Sequence, residues 1–500
     1  MQLGAYPESF TLAAAMPRKF IALLGPTNSG KTYEAMMALT GARTGVYLAP
    51  LRLLALENYE RLAEHGLATS LVTGEERRLM PDATHVASTV EMANFRKPVE
   101  VAVIDEVQML DDPSRGAAWT AAICGIPAST VYLLGSENAL PAIESLVRRL
   151  NASLTVRVLR RKTPLVMEAQ ALGSLKSLQK GDALIAFSRK DVLRWSEKVT
   201  QAGFSVATIY GNLSPEVRRA QAERFRDGRA DIVVATDAIG MGLNLPVSRV
   251  IFTAAHKFDG ELDAPLSVAL SLQIAGRAGR FGFGDVGKVA GFDKRTHEAI
   301  AALLPLRPEP LKTREFPVAP SLDQLANISR VTGETRLHAL LGLFVGSMDD
   351  TEDFFVPVIQ EEQLERAQWL DALPLGLDYR FLLSLVPVSM KEGFARQSWE
   401  HWARKMSAGK PSALPTFEAP ARKTALQSVE DACRVFSGYA WLGYRLPHLF
   451  PAGEQAVAQA RKLSMEVDRI LQERHSAADG YAVTKTKLKK KRASKEHRPA

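Results

Sequence analysis

Over residues 19–306, short apolar runs alternate with longer stretches of helical periodicity. Phe20–Leu24, Gly45–Ala49, Val101–Ile104 and Thr130–Leu134 read as buried strands, separated by helices such as Leu53–His65. Alternating strand and helix predicts a parallel sheet covered on both faces. The pattern then repeats. Ala183–Phe187, Val206–Ile209, Asp231–Ala235 and Arg249–Thr253 predict a second sheet, with a helix over Pro215–Arg226 and a connection over Arg160–Met167. After about Pro308 the strand signal fades. Leu322–Phe344 and Glu361–Leu385 read as helices interrupted by Gly and Pro. Residues 411–420 read as a linker, and a final helical pair covers Ala425–Tyr444 and Gly453–Gln472. The expected architecture is α/β: two tandem parallel-sheet domains followed by an all-helical C-terminal region. The expected boundaries are 1–18 for an N-terminal extension, 19–160 and 161–306 for the sheet domains, 307–410 and 411–480 for the helical ones, and 481–500 for a basic tail.

A chain of 500 residues exceeds one hydrophobic core, which agrees with several units. The net charge of +8 is concentrated at the end. Residues 481–500 hold six Lys, two Arg and one Glu, which carries +7 and leaves the body at about +1. The tail reads either as a solubilising terminus or as a polyanion-binding arm. Two cysteines, Cys124 and Cys433, exclude a disulfide framework and a cysteine zinc site. No apolar run reaches membrane-span length, so no membrane partner is expected. Residues 1–19 lack a secretory core and carry only Arg18 and Lys19 as basic residues, which favours a bacterial cytoplasmic protein over a mitochondrial one.

Three constellations carry chemistry. Gly25, Pro26, Thr27, Asn28, Ser29, Gly30, Lys31 and Thr32 fit the P-loop pattern between a strand and a helix. Backbone amides there cradle phosphates, Lys31 meets the outer phosphates, and the Thr32 hydroxyl reaches Mg²⁺. Asp105 and Glu106 end the Val101–Ile104 strand, at the sheet edge where open α/β folds bind ligands. Asp105 suits the Mg²⁺ shell, and Glu106 suits a base for the attacking water. ATP and Mg²⁺ are therefore the expected cofactors. Arg277 and Arg280 follow Gln273 in a Gly-punctuated segment, and their guanidinium forks suit the charge on a transferred phosphoryl group.

Together these motifs resemble superfamily-two helicases, and in detail the Suv-three family of RNA helicases. The likeness extends through Val72–Arg77, His85–Met92, Ile209–Pro215, Ala235–Leu245, Gln273–Gly282 and Trp441–Pro451. The resemblance implies that the two tandem parallel-sheet domains are RecA-like, in an ATP-dependent RNA helicase that translocates on single-stranded RNA with a three-prime overhang and unwinds duplexes during RNA turnover. An exoribonuclease such as polynucleotide phosphorylase is the implied partner. On matching positions it adds Gln273 to the catalytic set and Gln108 and Gly240 to the nucleotide site. Strand contacts are implied at Pro50, Leu51, Arg52, Thr73, Gly74, Thr89 and Glu91, and at Ser188, Arg189 and Thr236; small hydroxyl and backbone-donor positions of this kind suit sugar–phosphate contact. Gln108 and Ile274 depart from the wider superfamily, and Leu134–Asn138 is an unusual coupling motif. Lys257–Leu262 carries an Asp-Gly hairpin signal. Trp399 and Trp402 fit a helical core better than base stacking. Two rival functions stay open: a DNA or RNA/DNA-hybrid helicase, and an ATP-switched clamp that does not unwind.

Overall fold

The computed structural model describes residues 6–472 apart from 75, 212, 241–244, 259–261, 280–285, 347–353, 392 and 419–424. The chain divides into two compact units. One comprises Met1–Gly25, Gly30–Leu159 and Pro310–Lys462, and the other Pro26–Ser29, Arg160–Glu309 and Leu463–Ala500.

The first unit is built on an eight-stranded sheet: β1 (Lys19–Leu24), β2 (Gly45–Ala49), β3 (Thr69–Val72), β4 (Arg77–Arg78), β5 (His85–Thr89), β6 (Val99–Ile104), β7 (Ala128–Gly135) and β8 (Ser153–Val158). Their spatial order is β4-β3-β5-β2-β6-β7-β1-β8. All neighbours run parallel except β3 and β4. The register pairs Leu24 with Gly135, Ile104 with Leu133, Leu48 with Ile104, and Ala49 with Thr89. Parallel pairing in this register brings the C-terminal ends of the strands to one edge. Loops after β1, β6 and β7 lie beside one another, and those after β2, β5 and β3 adjoin them on the other half. The core beneath is apolar on both faces, with Leu23, Met36, Leu39, Tyr47, Leu62, Leu71 and Val103 buried together.

The N-terminal segment belongs to this unit. Tyr6 is buried against Phe10 and Phe355, and Arg18 donates to the Ile123 carbonyl at 3.0 Å. The C-terminal part of the unit is helical. Leu322–Thr332 stops at Gly333, whose φ of 75° takes the chain out of the helix. Leu337–Gly346 then follows, so the expected interruption falls at Gly333. The second expected stretch divides into Glu361–Leu370 and Leu377–Ser384, with Pro374 and Gly376 between them. A short parallel pair, Phe316–Val318 with Phe355–Pro357, is added to the helices. Trp399 and Trp402 are fully buried in Gly393–Ser407 and pack with Tyr439 and Phe450, so neither is available to stack on a base.

The second unit holds a six-stranded parallel sheet in the order Val206–Ile209, Ile232–Ala235, Asp182–Ile185, Arg249–Phe252, Gly287–Gly291 and Leu165–Met167. Leu165–Met167, expected only as a connection, is its edge strand. His256–Phe258 pairs antiparallel with Asp263–Pro265, which gives the two arms of the expected hairpin; the Asp-Gly turn itself lies outside the described residues. No helix among the described residues is long and apolar enough to cross a membrane.

Candidate active site and strand-binding edge

The first unit's sheet edge assembles the nucleotide residues in a hydrogen-bonded series. Gly25 leaves β1 with its amide bonded to the Gly135 carbonyl at 3.0 Å, which ties the loop to the end of β7. Gly30 caps the helix Lys31–Thr40 with φ 92°, a left-handed conformation that favours glycine. Lys31 and Thr32 thus occupy the first helical turn, where free amides and the helix dipole favour an anion. Lys31 Nζ donates to the Gly25 carbonyl at 3.1 Å, so the ammonium folds back over the loop.

Asp105 follows β6 and is buried. Tyr47 Oη donates to its Oδ2 at 2.6 Å, the Glu106 amide donates to its Oδ1 at 2.8 Å, and Trp119 Nε1 donates to its carbonyl at 2.9 Å. Burial, and then the Glu106 carboxylate, push its pKa up to about 6. The Lys31 charge and the Tyr47 and Glu106 hydrogen bonds oppose that rise. Glu106 has φ 53°, uncommon for a residue with a side chain. Gln108 holds it there. Its Nε2 donates to Glu106 Oε2, while its Oε1 accepts from the Ser136 amide at 3.2 Å. A Gln amide is a donor at one end and an acceptor at the other. It therefore links the proposed base to the loop after β7, where Ser136 Oγ bonds Asn138 Oδ1. Gly135 allows this approach, because a Cβ there would come within 2.8 Å of Gln108 Oε1.

The adjoining half of the edge carries the expected strand contacts. Pro50 and Leu51 lead from β2 into the helix Arg52–Glu64. Glu91 receives Arg115 Nε at 2.9 Å and Nη2 at 2.6 Å, and the same guanidinium bonds the Pro50 carbonyl. Glu91 thus ties two loops together through Arg115. Thr73 is buried, and its hydroxyl and amide close the loop onto Glu76 at 3.1 and 2.8 Å. Gly74 lies next to it, and Thr89 ends β5.

In the second unit, Ser188 caps the helix Arg189–Gln201 by accepting from the Asp191 amide at 3.0 Å, and Arg189 lies over the Tyr210 ring. Thr236 Oγ1 accepts from the Ala238 amide at 3.2 Å. Both hydroxyls sit at the same sheet edge, after Asp182–Ile185 and Ile232–Ala235. Gln273 Nε2 reaches the Gly240 carbonyl at 3.3 Å, and Arg277 Nη2 bonds the same oxygen. Arg280 lies outside the described residues. Pro26, Thr27, Asn28 and Ser29 belong to this unit, where Asn28 Nδ2 donates to Thr163 Oγ1 at 2.9 Å. Ser29 is buried, and its hydroxyl has no partner among the described residues.

Sequence reading passed over Tyr47, Trp119, Arg115 and Arg161. Arg161 donates to the carbonyls of Thr27 and Gly276 at 2.9 and 2.8 Å. Tyr47 and Trp119 sit within apolar stretches and read as core, so no signal marked them. Arg115 offered only an isolated positive charge, and Arg161 lay within the short basic run Arg160–Lys162.

Residues 7–158 match the DEXQ-box helicase domain of Suv3, residues 167–282 the helicase conserved C-terminal domain, and residues 426–473 the ATP-dependent RNA helicase SUV3 C-terminal domain. The chain is 35% identical to the mitochondrial DExH-box ATP-dependent RNA helicase DExH16 of Arabidopsis thaliana, over 93% of this chain and 82% of that protein. It is 36% identical to the mitochondrial SUV3 homologue of Drosophila melanogaster and 35% to human mitochondrial SUPV3L1, again over 93% of this chain. It spans only 63% and 61% of those two proteins' lengths. Yeast Dbp5 bound to RNA and ADP BeF3 has a TM-score of 0.46 at 19% identity, over 66% of this chain and 96% of that one, a likeness too distant to carry an argument. The expectation of a bacterial cytoplasmic protein is overturned, because these relatives are all named as mitochondrial. Two basic residues before Phe20 were too little on which to rest a compartment.

Proposed function

We propose that this chain, which belongs to the Suv3 family of ATP-dependent RNA helicases, itself hydrolyses ATP and uses the energy to move along single-stranded RNA and open duplexes. The observation that carries this reading is the continuous series from the phosphate loop through Asp105 and Glu106 to Gln108 and Ser136. The reading is supported by the Lys31 ammonium, the buried Asp105 carboxylate and the Gln108-bonded Glu106 carboxylate along one sheet edge, beside the loops proposed to hold the strand.

The residues fit Mg²⁺. That ion takes one or two carboxylates together with substrate phosphates and keeps several waters. Asp105 is a buried carboxylate held by two hydrogen bonds, with Glu106 alongside raising its need for a cation. Thr32 supplies a hydroxyl on the first turn of its helix. Bound there, Mg²⁺ neutralises charge on the outer phosphates. Lys31 adds its own charge. Glu106 orients the attacking water and takes its proton, and Gln108 fixes the carboxylate for that step. Arg277 and Arg280 remain the proposed source of additional positive charge, a role argued from guanidinium chemistry.

Thr73, Gly74, Thr89, Pro50, Leu51 and Arg52 are the proposed strand contacts on the first sheet, and Ser188, Arg189 and Thr236 those on the second. Most of their hydroxyls are spent on holding loop shape, so backbone amides are left to meet phosphates. Such contacts carry little sequence information. A role in RNA turnover alongside an exoribonuclease is proposed from the resemblance alone.

The test is ATP hydrolysis with single-stranded RNA, single-stranded DNA or no polymer. Stimulation by RNA supports the reading. Stimulation by DNA alone points to the rival DNA motor, and hydrolysis indifferent to either polymer refutes the coupling.

A further inference from the structure

The loops after β3 and β5 share a neighbour from far along the chain. Trp441, Tyr444 and Arg445 lie at and just beyond the end of the helix Ala425–Gly443, in the same unit. The Arg445 guanidinium sits 3.7 Å from the centre of the Trp441 ring. Its Nη1 donates to the Trp441 carbonyl at 3.0 Å, and its Nη2 is 3.5 Å from Met92 Sδ, in the segment after β5. The Trp441 ring also covers the loop after β3, since a Cβ on Gly74 would stand 3.6 Å from its Cδ1. From β4, which follows that loop, Arg77 extends over the Tyr444 ring at 5.8 Å.

Two guanidiniums are therefore gathered on aromatic faces beside Thr73 and Gly74. Burial, and then the Arg77 charge, pull the pKa of Arg445 down to about 10. Among the described residues, no carboxylate bonds either group, and Arg77 Nε is buried without a partner. The neighbouring Glu76 is already engaged by Arg78 at 2.7 Å and Arg461 at 3.2 Å. Like charges brought together away from water repel, and an anion placed between them removes that cost. Guanidinium forks match the spacing of phosphate oxygens. The position, flush with the proposed strand path, selects a phosphate that belongs to a polymer.

We propose that Arg77 and Arg445 together bind one phosphate of the RNA strand passing Thr73 and Gly74, so that the C-terminal helical segment forms part of the strand path. This rests on the RNA reading above and goes beyond it, because it places a strand contact on the C-terminal segment and pairs it with Arg77.

The test is fluorescence anisotropy of a labelled oligouridylate with the full chain at several KCl concentrations, for the parent, Arg77→Ala, Arg445→Ala, Arg445→Lys and the double alanine variant. At fixed salt each alanine variant should bind about tenfold more weakly, as expected for loss of a charged hydrogen bond. The double variant should flatten the slope of log affinity against log salt by about 0.7, the value of one single-strand phosphate, and should not lose twice that. Arg445→Lys should keep the slope and lose part of the affinity, because an ammonium supplies charge without the fork. Thermal unfolding identifies any variant that fails to fold. Should Arg445→Ala be one, Arg77→Ala on β4 decides alone. Parent-like affinity and slope in the folded variants overturn the proposal. A parent that does not bind oligouridylate refutes the RNA reading instead.

Discussion

The phenol of Tyr47, fully buried at the centre of β2, donates to Asp105 Oδ2 across a 2.6 Å hydrogen bond. Tyr47 belongs to the strand that leads into Pro50 and Leu51, and Asp105, the proposed metal ligand, directly follows β6. One hydrogen bond therefore joins the proposed strand-binding half of the sheet edge to the proposed hydrolytic half.

Burial of Asp105 beside the Glu106 carboxylate gives a pH-dependent stability, which the Tyr47 hydrogen bond opposes. Asp105 has its pKa raised from 3.8 to about 6, so the folded protein binds more protons than the unfolded chain between those values. Stability without nucleotide should therefore fall as pH rises from about 4 to about 6 and stay lowered above. Asp105→Asn should be more stable than the parent at pH 8, by on the order of 3 kcal/mol. The gain should vanish near pH 4. Thermal unfolding of both proteins across this range checks it, and hydrolysis by the variant should be lost.

Lys31→Ala removes the ammonium that folds over Gly25. Turnover should be abolished, while RNA binding without nucleotide persists, because the proposed strand contacts lie on other loops. Steady-state hydrolysis and RNA anisotropy measured side by side check both halves. Near-normal turnover contradicts the assignment of the phosphate loop.

Gln108→Ala frees Glu106 from its donor and the Ser136 amide from its acceptor. ATP affinity should change little. Turnover should fall about ten- to a hundredfold, the loss expected for a charged hydrogen bond that orients a base. A fluorescent ATP analogue reports the first quantity and phosphate release the second. Equal losses in both would make Gln108 a structural residue only.

Arg280→Ala should lose three to five orders of magnitude in turnover if Arg280 acts as an arginine finger. Arg277→Ala carries a second consequence, since Arg277 bonds the Gly240 carbonyl together with Gln273. Its loss should also lower RNA stimulation by loosening that segment. Retention of RNA-stimulated turnover within about tenfold in Arg280→Ala, against the loss expected of a missing finger, contradicts the finger role.

The phosphate loop, Asp105 and Glu106 could be read from the sequence because Gly, Lys and acidic residues at a strand's end break an apolar run. Strands β3 and β5 could not. Thr69–Val72 and His85–Thr89 mix polar with apolar residues within buried structure and carry no more than two apolar residues in a row. The edge strand β8 is largely exposed and lacked the signal for the same reason. Tyr47 was invisible because a tyrosine in an apolar strand reads as packing until its hydroxyl partner is located. Gln108 entered the nucleotide site through the family resemblance and was noted as a departure from the wider superfamily, with no partner indicated. Its role depends on Ser136, a residue brought near by sheet register and not by sequence distance. Trp441–Pro451 carried the family likeness, yet nothing in its composition indicated that it packs on the loops holding Gly74 and Met92.

The central claim, that this chemistry drives strand separation, is tested most directly by an RNA duplex with a single-stranded three-prime overhang. Release of the displaced strand is followed for the parent and for Glu106→Gln with ATP and Mg²⁺. The parent should separate the strands in an ATP-dependent manner. Glu106→Gln should bind ATP and RNA yet separate none, because the water has lost its base while the Lys31 and Asp105 contacts remain. RNA-stimulated hydrolysis by the parent with no strand release would contradict the account and favour an ATP-switched clamp.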